Sequence, residues 1–237
     1  MQTFLEPNYH KVLNIKRKYV KKIVYYLSKI GKEVRFSQLM NWLNIPPSKK
    51  STLSNNIDVL VKYGIVERVG RGAIRLRFKT PLCFITKPTS ISYAYLGLLG
   101  LKEKWEVSET ETAIRLLERE GFKFDRILVV TTQRAIGSWE KAVAPDIQSK
   151  IVWYTLSEEE LNRIDIVEAK VKPKLIELLK DYATIMDCTS GPRPAGIAYY
   201  KLADHFRVPL IYVYVGEKEL VWLISKEDLK KEFKSFL

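Results

Sequence analysis

The chain of 237 residues contains little cysteine and little histidine: Cys83, Cys188, His10 and His205 are all there is of either. Two cysteines exclude a disulfide scaffold, and a zinc site usually takes four Cys or His ligands, so no metal or other resident cofactor is expected. No apolar run approaches the roughly 20 residues of a membrane-spanning helix, and no N-terminal segment has the layout of a signal peptide. These absences predict a soluble, cytoplasmic protein with no membrane contact.

Acidic residues are scarce in the first third of the chain. Residues 1–80 hold 17 Lys and Arg but only 4 Asp and Glu, whereas the remainder holds 23 of each kind. The whole net charge of +13 therefore lies in the first third. This split indicates a polyanion-binding module joined to an electrostatically neutral one. The alternative is the lysine-rich surface of a heat-adapted protein, but such surfaces carry additional Glu.

The first third reads as three helices and a hairpin. Apolar residues at helical spacing predict helices over 14–31, ended by Gly31, and over 36–44 and 51–64. Residues 65–78 alternate between apolar and basic side chains around Gly70-Arg71-Gly72, which predicts two short strands.

This order resembles the winged helix-turn-helix domains of prokaryotic transcription regulators, and "TLSNNIDVLVKYGIVERVGRG" carries most of the likeness. The resemblance implies that helix 51–64 enters the major groove of double-stranded DNA while the hairpin lies beside the backbone. The alternatives are a protein-docking module and a merely solvated lysine face. The DNA-binding residues expected from the resemblance are Lys49, Lys50, Ser51, Ser54, Asn55, Lys62, Arg71 and Arg75.

The pattern changes after a connector at residues 81–92, in which Leu82–Ile85 is predicted to form a short strand. Apolar runs then alternate with helical segments, which predicts an α/β domain with a doubly wound parallel sheet. The chain is thus divided into a domain at 1–80, the linker at 81–92 and a Rossmann-like domain at 93–237. The predicted strands are 93–99, 127–132, 151–155, 184–188, 210–215 and 219–224, and the predicted helices are 109–121, 171–183, 194–206 and a short final one.

Ligands of such sheets bind at the carboxyl ends of the strands. Glycines there allow close approach of the backbone, hydroxyls form hydrogen bonds, and Arg193 can bind a phosphate at a helix start. No acidic residue lies in the turns themselves, so the turns favour a phosphate- or nucleotide-like ligand. The ligand-binding residues expected are Gly97, Leu98, Leu99, Gly100, Thr131, Thr132, Gln133, Thr189, Ser190, Gly191, Pro192, Arg193 and Pro194.

Three stretches, "GLLG", "DRILVVTTQRAIGSW" and "DCTSGPRPAGIAYYKLADHFRVPLIYVYV", resemble the CRISPR-associated Rossmann-fold (CARF) sensor domains over residues 93–225. That family's late motif runs Asp-x-Thr-x-Gly-x-Lys/Arg-Pro, and its places are taken here by Asp187, Thr189, Gly191, Arg193 and Pro194. The resemblance implies binding of a cyclic oligoadenylate, above all cyclic tetra-adenylate, across the two-fold axis of a homodimer. Some members are fused to winged helices and regulate transcription in CRISPR-Cas antiviral defence, usually with the winged helix after the sensor rather than before it.

Other functions remain open at this stage. Some members of the family cleave their ligand as metal-independent ring nucleases, and Arg193, Ser190 and Thr132 are the residues that would take part; Thr131 is a further hydroxyl at the same place. The sensor could instead bind an unrelated nucleotide or anion, or serve only for dimerisation with an empty cleft. Cys188 ends a buried strand and is interpreted as core packing rather than as a nucleophile with His205.

Overall fold

The protein is described by a computed structural model that covers residues 6–70, 72–101, 106–139 and 143–236. These residues form two compact units. The first unit runs to residue 91 and includes the segment from 227 onward, and the second unit consists of residues 92–226.

The described elements are numbered along the whole chain. The helices are α1 Tyr9–Leu13, α2 Val20–Ile30, α3 Phe36–Trp42, α4 Lys50–Lys62, α5 Leu82–Thr86, α6 Glu109–Arg119, α7 Gln133–Trp139, α8 Pro145–Gln148, α9 Glu158–Leu161, α10 Ile164–Asp181, α11 Arg193–Phe206 and α12 Lys226–Glu232, with short 3₁₀ turns at Pro47–Lys49 and Lys234–Phe236. The strands are β1 Val34–Arg35, β2 Val66–Val69, β3 Ala73–Leu76, β4 Tyr93–Leu98, β5 Phe124–Thr131, β6 Ile151–Thr155, β7 Ala183–Asp187, β8 Leu210–Tyr214 and β9 Glu219–Ile224.

The first unit contains the three helices and the hairpin that the sequence predicts. α2 ends at Gly31, whose φ of 69° is the left-handed conformation that glycine adopts without strain. α4 turns Leu53, Ile57 and Leu60 into the core and leaves its polar face outside. β3 pairs antiparallel with β2 on one side and β1 on the other, so the hairpin becomes part of a three-stranded sheet.

Two boundaries differ from the sequence-based division. Leu82–Ile85 forms a buried helix, α5, instead of the predicted strand, because Pro81 occupies its N-cap and all four side chains are buried in the first unit. Periodicity cannot separate a short buried helix from a strand. The end of the chain also joins the first unit rather than the second: the rings of Phe233 and Tyr9 meet edge to face at 5.0 Å.

The second unit is built on a six-stranded sheet in the order β6-β5-β4-β7-β8-β9. All neighbouring pairs are parallel except β8 and β9, which are antiparallel. β7 is buried along its whole length, as expected of a central strand covered on both faces. The predicted α/β class and doubly wound, mostly parallel sheet are therefore confirmed.

The helices of the second unit are the less predictable part. α10 begins at Ile164, seven residues before the predicted start, and continues through Pro173 because Val167 and Val171 extend its buried face. α7, α8 and α9 are short helices that the sequence analysis did not predict, and two of them have only 4 residues. None of the described helices is both long enough and apolar enough to span a membrane.

Candidate functional site

The sheet reverses its winding direction between β4 and β7. From β4 the chain proceeds outward to β5 and β6, and then returns to the other side of β4 to form β7, β8 and β9. At such a switch point the loops after the two central strands separate and leave a crevice for a ligand. A cavity of about 380 Å³ lies there. Its lining consists of Leu99, Gly100, Leu101, Glu109, Thr132, Trp139, Glu158, Leu161, Asn162, Thr189, Ser190, Gly191 and Pro192.

The buried carboxylate of Asp187 holds the loop that follows β7. Its Oδ1 accepts hydrogen bonds from the backbone N–H of Thr189, at 2.8 Å, and from the Thr189 hydroxyl. The Thr189 Oγ1 in turn accepts from the backbone N–H of Val213, at 2.9 Å, which ties the loop to β8. Asp187 and Thr189 therefore fix the shape of the loop, and the Thr189 hydroxyl makes two hydrogen bonds within the protein.

Asp187 also accepts a hydrogen bond from the hydroxyl of Tyr95, a fully buried residue of β4. The pKa of Asp187 is raised to about 6, with burial as the main cause; the hydrogen bonds from Thr189 and Tyr95 act in the opposite direction, and the charge of Glu109 contributes to the rise. Burial and then the neighbouring Asp187 charge raise the pKa of Tyr95. The two central strands are thus joined by a buried tyrosine–carboxylate pair directly beneath the cavity.

Ser190 joins the loop after β7 to the end of β4. Its Oγ accepts from the backbone N–H of Gly100 at 2.8 Å and donates to Oε2 of Glu109, the first residue of α6. A Cβ at Gly100 would lie 3.3 Å from that Oγ, so glycine allows the two loops to approach closely. The turns themselves contain no acidic residue, but Glu109 in the first turn of α6 forms part of the cavity wall.

The remaining hydroxyls at the strand ends have separate structural partners. Thr131 is fully buried, and its hydroxyl donates to the carbonyl of Leu99 at 2.7 Å, outside the cavity. Thr132 lines the cavity while its Oγ1 accepts from the backbone N–H of Ala135, at 3.1 Å. Gln133 is exposed and lies outside the lining.

Gly97 has a packing role. A Cβ there would lie 2.5 Å from Cε1 of the Tyr95 ring, so the absence of a side chain makes room for that ring. Gly97 and its neighbour Leu98 do not line the cavity. Their prediction as ligand-binding residues is not supported by their positions.

Arg193 is the first residue of α11 and is exposed next to the cavity rather than inside it. It makes no hydrogen bond or ion pair with any residue that the structure describes. Pro194 follows it in the first turn and also lies outside the lining.

Seven of the predicted residues line the cavity: Leu99, Gly100, Thr132, Thr189, Ser190, Gly191 and Pro192.

Six lining residues were not predicted: Leu101, Glu109, Trp139, Glu158, Leu161 and Asn162. Trp139 is buried, and its indole N–H donates to the carbonyl of Gly100 at 2.9 Å. Glu158 is the first residue of α9, a helix whose start is stabilised by a capping box between Ser157 and Glu160. The Ser157–Glu160 spacing is a helix-start signal in the sequence, but nothing in that signal says which sheet edge the helix faces.

Cys188 has the environment of a packing residue. Its thiol donates to the carbonyl of Ile211 at 3.4 Å, and burial raises its pKa to about 12. A thiol with that pKa is not a nucleophile at neutral pH.

A second candidate surface lies on the first unit, where α3, α4 and the hairpin enclose a groove of about 910 Å³. Its cations, Arg35, Lys50 and Arg68, come from three different elements, and none of the described residues that line it is acidic. The full lining is Arg35, Phe36, Ser37, Met40, Asn41, Ile45, Pro47, Lys50, Ser51, Ser54, Arg68 and Gly72.

The predicted DNA-binding residues divide into exposed and engaged ones. Ser54 is half-buried at the edge of this groove, and Arg75 forms an ion pair of 2.6 Å with Glu67, so its charge is largely compensated. Arg71 lies outside the described residues. The exposed ones are Lys49, Lys50, Ser51, Asn55 and Lys62.

Arg68, one of the groove cations, forms an ion pair with an acidic residue outside the groove lining. Arg68 of β2 binds Asp58 of α4 at 2.7 Å, which joins the hairpin to that helix.

Comparison with known proteins gives distant structural neighbours only. No protein-family model and no curated protein matches the chain. Csm6 from Enterococcus italicus, bound to cyclic hexa-2'-fluoro-hexa-dAMP, is 14% identical with a TM-score of 0.43, and the match covers 62% of this chain and 39% of that one. Protein VC1899 from Vibrio cholerae is 9% identical with a TM-score of 0.42, over 56% of this chain and 34% of that one.

A third structure is Can2 from Sulfobacillus thermosulfidooxidans in complex with cyclic tetra-adenylate. It is 14% identical with a TM-score of 0.37, over 56% of this chain and 35% of that one. The present chain thus matches little more than a third of the length of these proteins. Likeness at this level carries no argument about function.

Proposed function

We propose that the protein is a DNA-binding transcriptional regulator of a CRISPR-Cas system whose second unit senses a cyclic oligoadenylate, cyclic tetra-adenylate in particular. The observation that carries the proposal is the cavity at the switch point between β4 and β7. One of its walls is the loop that carries the Asp-x-Thr-x-Gly-x-Arg-Pro motif, held in place by Asp187. The resemblance of that motif to CARF domains gives the class of ligand.

The shape of the cavity favours a nucleotide. Its volume of about 380 Å³ is in the range of small-molecule sites. Leu101, which is exposed in the cavity wall, offers apolar surface to a base, while Arg193 at the adjacent helix start offers charge to a phosphate. A ring of four adenylates is larger than one such cavity, so the proposal includes a homodimer in which two copies share one ring.

The first unit supports the DNA-binding half of the proposal. The helix order α2–α3–α4, followed by the β2–β3 hairpin, is the one that a winged helix-turn-helix requires. Lys50, Ser51 and Asn55 are exposed on α4, where ammonium groups can contact phosphates and hydroxyl or amide groups can contact base edges. We propose that ligand binding favours one arrangement of the dimer and so sets the spacing of two α4 helices.

Calorimetric titration with cyclic tetra-adenylate tests the sensor function. Wild-type protein should bind one ring per dimer, and Arg193→Ala should weaken binding about ten-fold because a charge-assisted contact to phosphate is lost. Arg126→Ala is the matched control, since Arg126 is exposed at the opposite end of β5, and its affinity should be that of wild type. Absence of heat with both the tetra- and hexa-adenylate rings would overturn the assignment.

A ring nuclease is the second candidate, favoured by the hydroxyl–carboxylate pair of Ser190 and Glu109 in the cavity wall. In that reaction a ribose 2′-oxygen of the ligand attacks the adjacent phosphorus. A 2′,3′-cyclic phosphate forms and the bond to the 5′-oxygen breaks; the attacking 2′-hydroxyl loses its proton and the leaving 5′-oxygen takes one up, so no net proton is consumed. Ser190 and Thr132 would orient the attacking hydroxyl, and Arg193 would stabilise the transition-state charge. Linear product recovered after the titration would establish cleavage, and intact ring would exclude it.

A further inference from the structure

Five cations lie within seven residues at the start of α2, outside both surfaces described above. We define the basic segment as Lys16, Arg17, Lys18, Lys21 and Lys22. Four of them are exposed and Lys21 is half-buried. None forms an ion pair with an acidic residue that the structure describes. The positive charge of this segment is therefore not compensated within the described chain.

The position of these cations opposes helix stability. The N-terminus of a helix carries partial positive charge, so Asp or Glu in the first turn is stabilising and Lys is not. α2 has no acidic residue in its first turn, no side-chain cap at Tyr19, and has Lys21 and Lys22 at its second and third positions. The α6 helix shows the usual arrangement, with a Ser108 cap followed by Glu109 and Glu111. The cations in α2 are thus not explained by the needs of the helix.

The basic segment is adjacent to the helix that we propose to enter the DNA groove. The Nη1 atom of Arg17 lies 3.4 Å from the backbone carbonyl oxygen of Asn55, in the middle of α4. Asn55 itself is exposed on the polar face of α4. A duplex bound to that face would bring its phosphate backbone near the basic segment. Lys and Arg side chains that have no acidic partner attract phosphate groups.

We propose that the basic segment is a second contact surface for the same duplex, on which it neutralises backbone phosphates beside the base-reading face of α4. This inference rests on the proposed DNA binding by α4. It assigns to the segment a sequence-independent role, namely affinity and the orientation of α4, and no contribution to base choice.

The test measures the salt dependence of DNA binding by the full chain. A fluorescein-labelled duplex of random sequence is titrated by anisotropy between about 50 and 200 mM salt, where the slope of log affinity against log salt is about −0.9 per neutralised phosphate. The double variant Lys18→Gln with Lys22→Gln should reduce the magnitude of the slope by about 1.8. The matched control is Lys29→Gln with Lys32→Gln, at the other end of α2, which removes the same charge and should change the slope by less than about 0.5.

The possible outcomes separate the inference from the function on which it rests. A wild-type slope near zero would show that the proposed DNA binding itself is wrong. A steep wild-type slope that both double variants reduce equally, or that neither reduces, would overturn the role of the basic segment and leave DNA binding by α4 intact. If Lys18→Gln with Lys22→Gln keeps the wild-type salt slope of DNA binding but loses binding to phosphatidylserine vesicles, the segment would be assigned to a membrane surface instead. Circular dichroism of each variant verifies that α2 is still folded.

Discussion

The two units carry their charge in different ways. In the first unit the cations of α2 and α4 are exposed except for Lys21, and none of them forms an ion pair with an acidic residue that the structure describes. In the second unit several surface cations are paired with acidic residues, as in Arg115 with Asp146 and Lys201 with Glu168, and Asp187 is buried. Exposed, unpaired charge suits a partner recognised by its charge density, whereas a buried charge organises a shaped cavity.

The largest effect is expected from salt. If six or more cations of the first unit contact phosphates, DNA affinity should fall about 10³-fold between about 50 and 200 mM salt. Binding of cyclic tetra-adenylate to the second unit should fall less than about ten-fold, because Arg193 is the one predicted phosphate contact there and the rest of the cavity is neutral, apolar or acidic. Anisotropy and calorimetry on the same preparation measure both. If DNA binding and cyclic tetra-adenylate binding were equally sensitive to salt, the proposed difference between the two units in how they use charge would be wrong.

The next largest effect is expected on stability, when the buried Tyr95–Asp187 pair is crowded by a new side chain. Gly97→Ala should lower the free energy of unfolding by about 3 kcal/mol, because the new Cβ displaces the Tyr95 ring and disturbs its hydrogen bond to Asp187. Denaturant unfolding measures the change. Gly137→Ala in α7 is the control: no described heavy atom lies within 4 Å of its Cβ position, so it should stabilise by up to about 1 kcal/mol. A neutral Gly97→Ala would refute the packing role.

The buried carboxylate predicts a pH dependence of stability. The pKa of Asp187 is raised to about 6 in the folded protein from 3.8, so between these values the folded state binds more protons than the unfolded state. The free energy of unfolding of wild type should therefore fall by about 2 kcal/mol, relative to Asp187→Asn, as the pH rises from about 4 to about 6. Denaturant melts at several pH values measure the difference. Parallel curves for the two proteins would contradict the raised pKa.

The smallest effect separates two cations of the first unit. Lys50→Ala should weaken DNA binding several-fold and reduce the salt slope by about 0.9, since Lys50 is exposed at the start of α4. Arg75→Ala should change affinity less than about two-fold, because Glu67 already compensates the Arg75 charge. Anisotropy titrations of the two variants give the comparison, and a larger loss for Arg75→Ala would reverse the assignment.

Strongly patterned elements could be predicted from the sequence. β6 and β9 begin and end where the apolar runs do, and Gly31 ends α2 by adopting a positive φ. The short helices α5, α8 and α9 could not be predicted, because four or five residues are too few for a period of 3.6 to be visible. Whether such a segment becomes helix or strand depends on its tertiary surroundings.

The location of the candidate site could be predicted, but much of its chemistry could not. Parallel strands bring their carboxyl ends to one edge, and the loop around Ser190 and Gly191, which was predicted on that basis, lines the cavity. A sequence does not show which acceptor each hydroxyl uses. The hydrogen bonds that Thr131 donates to the Leu99 carbonyl and Thr189 donates to Asp187 could therefore not be predicted. Glu109 was missed for a similar reason: an acid in the first turn of a helix is commonly a response to the helix dipole, and only the structure places it in the cavity wall.

The return of the final segment to the first unit has a consequence for the order in which the protein is made. A ribosome completes residues 6–91 early, yet Phe233, which packs on Tyr9, is added only after residues 92–226. Domains usually fold in the order of their synthesis. Here the second unit, residues 92–226, is available in full before the first unit can close its core. A newly made chain would therefore acquire its cavity before its first unit is complete.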